Sequence, residues 1–271
     1  MNYQWYPGHM TKAKRMMQED IKLIDLLIEL VDARVPLSSR NPDIDKLGVG
    51  KGRMVLLNKS DLADPKGNQA WIEYFKGQGI TVLEINSRTG SGMKSIQKAV
   101  DEACKEKRER DKKRGILNRP IRAMVVGIPN VGKSTFINSY AGKACTKTGN
   151  KPGVTKGKQW IRLGKGLELL DTPGILWPKF EDQEVGMRLA FIGSINDEIL
   201  IEDELAIEKR FNIENSDNPT ETLEKIAKAR GCYKKGQEID YTKAASILMD
   251  EFRSGKLGKM TLEYPNVTNQ E

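Results

Sequence analysis

Three kinds of group are scarce in this chain, and each shortage narrows what it can be. There are three cysteines in 271 residues, Cys104, Cys145 and Cys232. They are scattered, odd in number and not at metal or redox spacing, so a disulfide framework or cysteine cluster is excluded and a reducing compartment is expected. There is one histidine, His9, which shortens the list of acid–base groups that titrate near neutral pH. No apolar run approaches the ~18–20 residues of a membrane helix; the best stretch, Ile21 to Val31, carries Lys22, Asp25 and Glu29. The amino terminus lacks the charged, apolar, small-residue order of a secretory signal, and Glu19 and Asp20 argue against a transit peptide. No internal repeat or low-complexity tract occurs. A cytoplasmic location without a membrane partner is the expectation.

What is present is length and positive charge. The chain is long enough for a sizeable core and two domains. Its formal net charge is +8, and it is unevenly placed. Residues 1–180 hold 33 Lys+Arg against 18 Asp+Glu, and residues 181–271 hold 12 against 19. A basic surface on the first part fits RNA or another polyanion as well as a plain solvated surface.

The sharpest signal is Gly127-Ile128-Pro129-Asn130-Val131-Gly132-Lys133-Ser134, which has the spacing of a phosphate-binding loop. Glycines let the backbone curl until successive N–H groups face one anion. Lys133 reaches the β- and γ-phosphates, and the Ser134 hydroxyl suits Mg²⁺. The apolar run Ile121 to Val126 reads as the strand before it, and Ser134 to Tyr140, including Thr135, as the helix after it. Asp171-Thr172-Pro173-Gly174 follows a second short apolar run. There a carboxylate holds Mg²⁺ through water, and the Gly174 N–H meets the γ-phosphate. Thr155 lies between the two motifs, where a switch threonine covers the metal.

Asn58-Lys59-Ser60-Asp61 reads as a base-recognition motif. A carboxylate only accepts hydrogen bonds at neutral pH. Guanine presents two donors, N1–H and the 2-amino group, whereas adenine would leave Asp61 unpaired. Asn58 braces the loop, and the Lys59 stem lies along the base. A second base loop is expected at Asn86-Ser87-Arg88, with backbone N–H groups near Ser87 and Arg88 meeting O6. GTP and GDP are the expected ligands, with Mg²⁺.

The base motif precedes the phosphate loop, the reverse of the usual order. Strands and helices alternate to about Lys179, which predicts an α/β, doubly wound, mostly parallel sheet. Trp71–Gly77 and Ser91–Lys113 read as helices, the latter ended by Asn118-Arg119-Pro120. The charged stretch Lys105 to Arg114 reads as a solvated helix end or an RNA-contacting face. Beyond Lys179 helices are expected at Asp182–Ile192, Glu198–Phe211, Pro219–Arg230 and Tyr241–Ser254. The division is therefore 1–178, a nucleotide-binding domain, and 179–271, a small all-α domain.

With its permuted motifs, Trp5-Tyr6-Pro7-Gly8-His9-Met10, Asp32-Ala33-Arg34-Val35-Pro36 and Gly258 to Glu263, the chain resembles the circularly permuted GTPases, in particular the bacterial ribosome biogenesis GTPase A family. The likeness covers nearly the whole length. It implies a GTP hydrolase acting in late assembly of the large ribosomal subunit. The expected partners are that subunit or its precursor and ribosomal RNA, met through the helical domain, with stimulation by the particle. No DNA partner is expected, and the chain is expected to be a monomer.

Ile175 stands where many GTPases carry a water-orienting glutamine. Alone, His9 reads as a turn histidine beside Pro7-Gly8; the resemblance assigns it the catalytic role. Asn130 occupies the phosphate-loop position at which some GTPases recruit K⁺. An RNA-binding assembly module with little turnover remains the alternative at this point.

Overall fold

The computed structural model describes residues 17–116, 119–142, 159–163, 166–171, 183–194, 204–214, 216 and 218–265. Six strands form one sheet: β1 (Leu26–Asp32), β2 (Gly52–Asn58), β3 (Thr81–Glu84), β4 (Ile121–Val126), β5 (Gln159–Leu163) and β6 (Leu167–Asp171). Their spatial order is β3-β2-β1-β4-β6-β5. All neighbours are parallel except β5, which runs antiparallel to β6. The predicted α/β, mostly parallel sheet is the fold observed.

The strands read as near-continuous apolar runs because both faces are covered. Leu26, Ile28 and Leu30 of β1 face one layer, packed with Ile96, Val100, Phe136 and Ile137. Leu27 faces the other with Met17, Ile21, Ile44, Met124 and Leu170. Val31, Val55 and Leu57 continue that second face against Trp71 and Phe75. Among these side chains, Ile44 comes from α1 (Asp43–Leu47), Trp71 and Phe75 from α2 (Pro65–Gly77), Ile96 and Val100 from α3 (Ile96–Ala103), and Phe136 and Ile137 from α5 (Lys133–Ala141). The charged helix α4 (Lys105–Lys113) adds almost nothing to the core.

Three local expectations need correction. Ser91–Lys113 is not one helix. Gly92 has φ 78° and approaches the Glu84 carbonyl so closely that an added Cβ would lie 2.2 Å away; a 3₁₀ turn, Met93–Ser95, follows before α3. The chain breaks again at Cys104, a buried residue seated where a Cβ on Gly52 would meet its sulfur. Helix α4 ends at Lys113 through the left-handed Gly115, φ 69°, well before Pro120, because glycine satisfies the terminal carbonyls sooner. Strand β5 was not anticipated, although exposed Trp160, buried Ile161 and exposed Arg162 alternate with period two.

Beyond the sheet lie α6 (Gln183–Phe191), α7 (Glu204–Phe211), α8 (Pro219–Ala229) and α9 (Tyr241–Arg253). Asn218 and Asp240 cap α8 and α9, accepting from Thr220 N at 2.9 Å and Lys243 N at 3.0 Å. Phe191, Phe211, Leu223, Ile226 and Phe252 are buried. Arg253 donates to the Phe191 and Ala190 carbonyls at 3.0 and 2.7 Å, closing the end of α6. The chain then returns to the sheet. Met260 N donates to Leu62 O at 3.0 Å and Leu262 N to Arg34 O at 2.8 Å. Trp71 Nε1 donates to Glu263 O at 2.9 Å. The Glu263 carboxylate accepts from the N–H groups of Leu37 and Ser38 and from the Ser38 hydroxyl. Among the described residues no helix is long and apolar enough to cross a membrane.

Candidate functional site

In the strand order the chain runs outward from β1 to β3, then returns to the other side of β1 at β4. That reversal makes a crevice at the carboxyl ends of β1 and β4, where open α/β sheets hold ligands. Both nucleotide motifs open onto this edge. The base motif leaves β2 at Asn58, and the phosphate loop leaves β4 at Val126.

The phosphate loop is already curled. Lys133 Nζ donates to the carbonyls of Gly127 and Ile128 at 2.8 and 3.0 Å, across the loop. A Cβ on Gly127 would sit 2.5 Å from Leu30 O. Gly132 has φ 98°, and its Cβ would sit 2.6 Å from Asn58 Nδ2. Neither position admits a side chain. The loop leads into α5, whose first turn contains Lys133, Ser134 and Thr135, so the helix N-terminus adds positive potential where phosphates would lie. This cradle fits a polyphosphate. The Ser134 hydroxyl, in the first turn of α5, is an oxygen donor of the kind Mg²⁺ requires, and the backbone at the end of β6 pairs Asp171 with Val125.

Asn58 joins the two motifs. It is buried, and its Nδ2 donates to the Val131 carbonyl at 2.7 Å. Its Oδ1 accepts from Ser87 N at 3.0 Å and Ser87 Oγ at 2.8 Å. One amide thus ties base motif, phosphate loop and second base loop. Lys59, at φ 58°, donates from Nζ to Asn130 O at 3.0 Å. Asp61 is exposed and makes no hydrogen bond or ion pair among the described residues. In the second base loop, Arg88 N and Thr89 N donate to Asn86 Oδ1 at 2.9 and 3.0 Å. The amides expected to meet O6 are therefore engaged within the protein. Asn130, at φ 63°, donates from Nδ2 to Gly193 O, and Ser194 Oγ donates to Pro129 O at 2.8 Å. The end of α6 grips the phosphate loop directly.

His9, Thr155 and Gly174 lie outside the described residues, as does the Asp171 side chain.

Sequence reasoning passed over Asp32. Fully buried at the end of β1, it accepts from Arg34 Nε and Nη2 at 2.9 Å each. Lys59 Nζ lies 2.9 Å from it. Burial alone would raise its pKa. The Arg34 and Lys59 charges and hydrogen bonds outweigh that and hold the carboxyl far below the usual carboxylate range. Asp32 thereby fixes Lys59 over the phosphate loop. The Arg34 guanidinium also stacks 4.9 Å from the Phe252 ring centroid. The spacing Asp32-Ala33-Arg34 at a strand end was the available signal.

A curled phosphate loop and a base motif, bound together across one sheet edge but supplied in reversed chain order, define a circularly permuted P-loop GTPase. A family model described as 50S ribosome-binding GTPase matches residues 122–235. The chain is 50% identical over 280 residues to Ribosome biogenesis GTPase A of Bacillus cereus, covering 98% of this chain and 95% of that one. It is 35% identical to the Thermotoga maritima protein of the same name, covering 96% and 94%. The crystal structure of GNP-bound YlqF from T. maritima superposes with TM-score 0.69 at 31% identity, covering 94% of this chain and 99% of that chain. The chain belongs to the ribosome biogenesis GTPase A family and hydrolyses GTP.

Proposed function

We propose that this GTPase acts late in assembly of the large (50S) ribosomal subunit in the cytoplasm, binding the particle and its ribosomal RNA with GTP and leaving after hydrolysis. The observation that carries the reading is the Asn58 bridge: one buried amide binds base motif, phosphate loop and second base loop into a single unit. Asp61 selects guanine, with Lys59, Asn86, Ser87 and Arg88 completing the base site. Asn130 to Thr135 and Gly174 hold the phosphates. Ser134, Thr155 and, through water, Asp171 hold Mg²⁺, which supplies charge neutralisation at the γ-phosphate. The Asn130 amide nitrogen is occupied by Gly193 O, leaving its oxygen to face a K⁺ beside the phosphates.

The chain works as a monomer without DNA. It divides near Lys179 into a nucleotide domain and a helical RNA-contacting domain. Permutation gives this division its use, since the segment after Asp171 leads into the helices. The loop–α6 contacts through Asn130 and Ser194 support a second, direct link.

With Ile175 unable to orient water, His9 is the catalytic group. His9→Ala lowers stimulated turnover and leaves GTP affinity nearly intact. The deciding experiment is multiple-turnover GTP hydrolysis in K⁺ and in Na⁺ buffer, with and without purified large subunits. Strong stimulation by the particle, greater in K⁺, is expected. Unchanged turnover with the particle bound overturns the triggered switch, and equal rates in the two salts remove K⁺ at Asn130.

A further inference from the structure

We propose that a surface running from Trp160 on the edge strand β5, across Arg162 and Arg122, to the end of α4 beside the amino-terminal end of β4 is a binding surface for single-stranded RNA. This rests on the reading of the chain as an RNA-contacting assembly factor and names a second surface for it, separate from the helical domain.

The surface is a continuous charged ladder. Glu168 on β6 holds Arg162 of β5 at 3.0 Å and Arg122 of β4 at 3.1 Å. The Arg122 guanidinium lies 5.5 Å from the centroid of Trp160. Trp160 is 41% exposed, on the edge strand. Arg122 N donates to Asp25 Oδ2 at 3.2 Å. Lys107 lies 3.6 Å from Asp25 and 2.9 Å from Asp111. There the ladder reaches α4, where the acids stop balancing the cations.

Arg110, Lys112, Lys113, Arg114 and Arg119 are all exposed. None of the five holds an ion pair among the described residues. The exposed acids of α4 are Glu106 and Glu109, while Asp111 is taken by Lys107. Complementing the helix dipole accounts for one or two basic residues in a last turn, not for this excess. Nor does the core require the indole: a half-exposed tryptophan with the Arg122 guanidinium on its ring offers bases a stacking platform, and the cations at the end of α4 offer charges for their phosphates. That combination distinguishes single-stranded RNA from an acidic peptide, which needs no stacking platform. Along β4, Arg122 stands about 17 Å from Gly127, where the phosphate loop begins, at ~3.3 Å per residue, so nucleotide and RNA can be held at once.

The test uses the full chain with GDP bound and a fluorescein-labelled oligouridylate, with a duplex RNA of equal length alongside. The combined variant Lys112→Glu, Lys113→Glu, Arg114→Glu is expected to lose at least tenfold in affinity. Its log–log salt slope should fall by about two, at ~0.7 per phosphate for single strands. Trp160→Ala should lose about tenfold and Trp160→Phe much less, since the phenyl ring still stacks. Basal GTP turnover should be unchanged in all of these, which also reports that they fold. The combined variant Lys234→Glu, Lys235→Glu probes the helical domain. If it alone weakens binding, RNA contact stands and this surface is overturned. Equal losses on duplex and single strand with no effect of Trp160 overturn the stacking platform. A wild-type chain that binds neither RNA overturns this surface and the RNA reading together.

Discussion

The two ends of one sheet treat charge in opposite ways. At the carboxyl edge, Asp32, Arg34, Asn58 and Lys133 are buried, and each charge or amide is held by hydrogen bonds within the fold. At the amino edge, Arg110, Lys112, Lys113, Arg114 and Arg119 are exposed and without ion pairs among the described residues. Apart from Arg34 Nη1, which is buried without a hydrogen-bond partner among the described residues, the groups at the carboxyl edge are satisfied because leaving them unpaired is costly, and their geometry is fixed as a result. Exposed cations lose little by remaining unpaired in water. The first arrangement suits a site that must position a small ligand; the second suits a surface that meets an extended polyanion.

The largest effect should come from breaking the buried end. Asp32→Ala leaves Arg34 and the Lys59 ammonium without their carboxylate, and removing one partner of a buried pair costs about 3–5 kcal/mol. Urea unfolding of the nucleotide-free chain measures this, and an unchanged midpoint would refute the role given to Asp32. Next is Asn58→Ala. It strands the Ser87 N–H and Oγ and the Val131 carbonyl, at about 1–3 kcal/mol for the cluster as a whole, and it should also weaken fluorescent-GDP binding. Gly132→Ala forces φ 98° on a residue with a Cβ, at about 1–3 kcal/mol. A larger loss in nucleotide affinity than in stability would mark the cradle as functional.

Acid sharpens the contrast further. The folded pKa of Asp32 lies far below its unfolded value, which is about 3.9. Its stabilisation is therefore complete above about pH 4 and drains away only as pH falls below that value toward the folded pKa. The stability gap between wild type and Asp32→Asn should be flat from pH 7 to 5 and shrink toward pH 3. A gap that is flat throughout would deny the shift. The smallest effect belongs to the other end: Lys113→Glu should change stability by less than about 0.5 kcal/mol, read in the same urea titrations.

Much of this was legible along the chain. Apolar runs flanked by glycine and polar turns marked β1, β2, β4 and β6, because a strand covered on both faces has little choice of residue. The loop from Gly127 to Ser134 declared itself through spacing, since few sequences can curl around an anion. Beyond Lys179, the helices expected at Pro219–Arg230 and Tyr241–Ser254 end within one residue of the observed α8 and α9, while of the one expected at Glu198–Phe211 residues 198–203 lie outside the described residues. Strand β5 escaped because Gln159–Leu163 is short and half polar, and the break at Cys104 escaped because it answers to Gly52, distant in sequence.

The sequence by itself determined the kind of ligand and the reversed order of its motifs, because phosphate and guanine recognition rest on short local patterns of glycine, lysine and carboxylate. Only the tertiary structure decided how those patterns act together. It set Asp32 beneath Lys59, passed Asn58 across to Val131, brought Gly193 onto Asn130 and returned Glu263 to Ser38. Each of these contacts joins residues far apart along the chain, and their energy comes from burial that exists only once the sheet and its helices have closed.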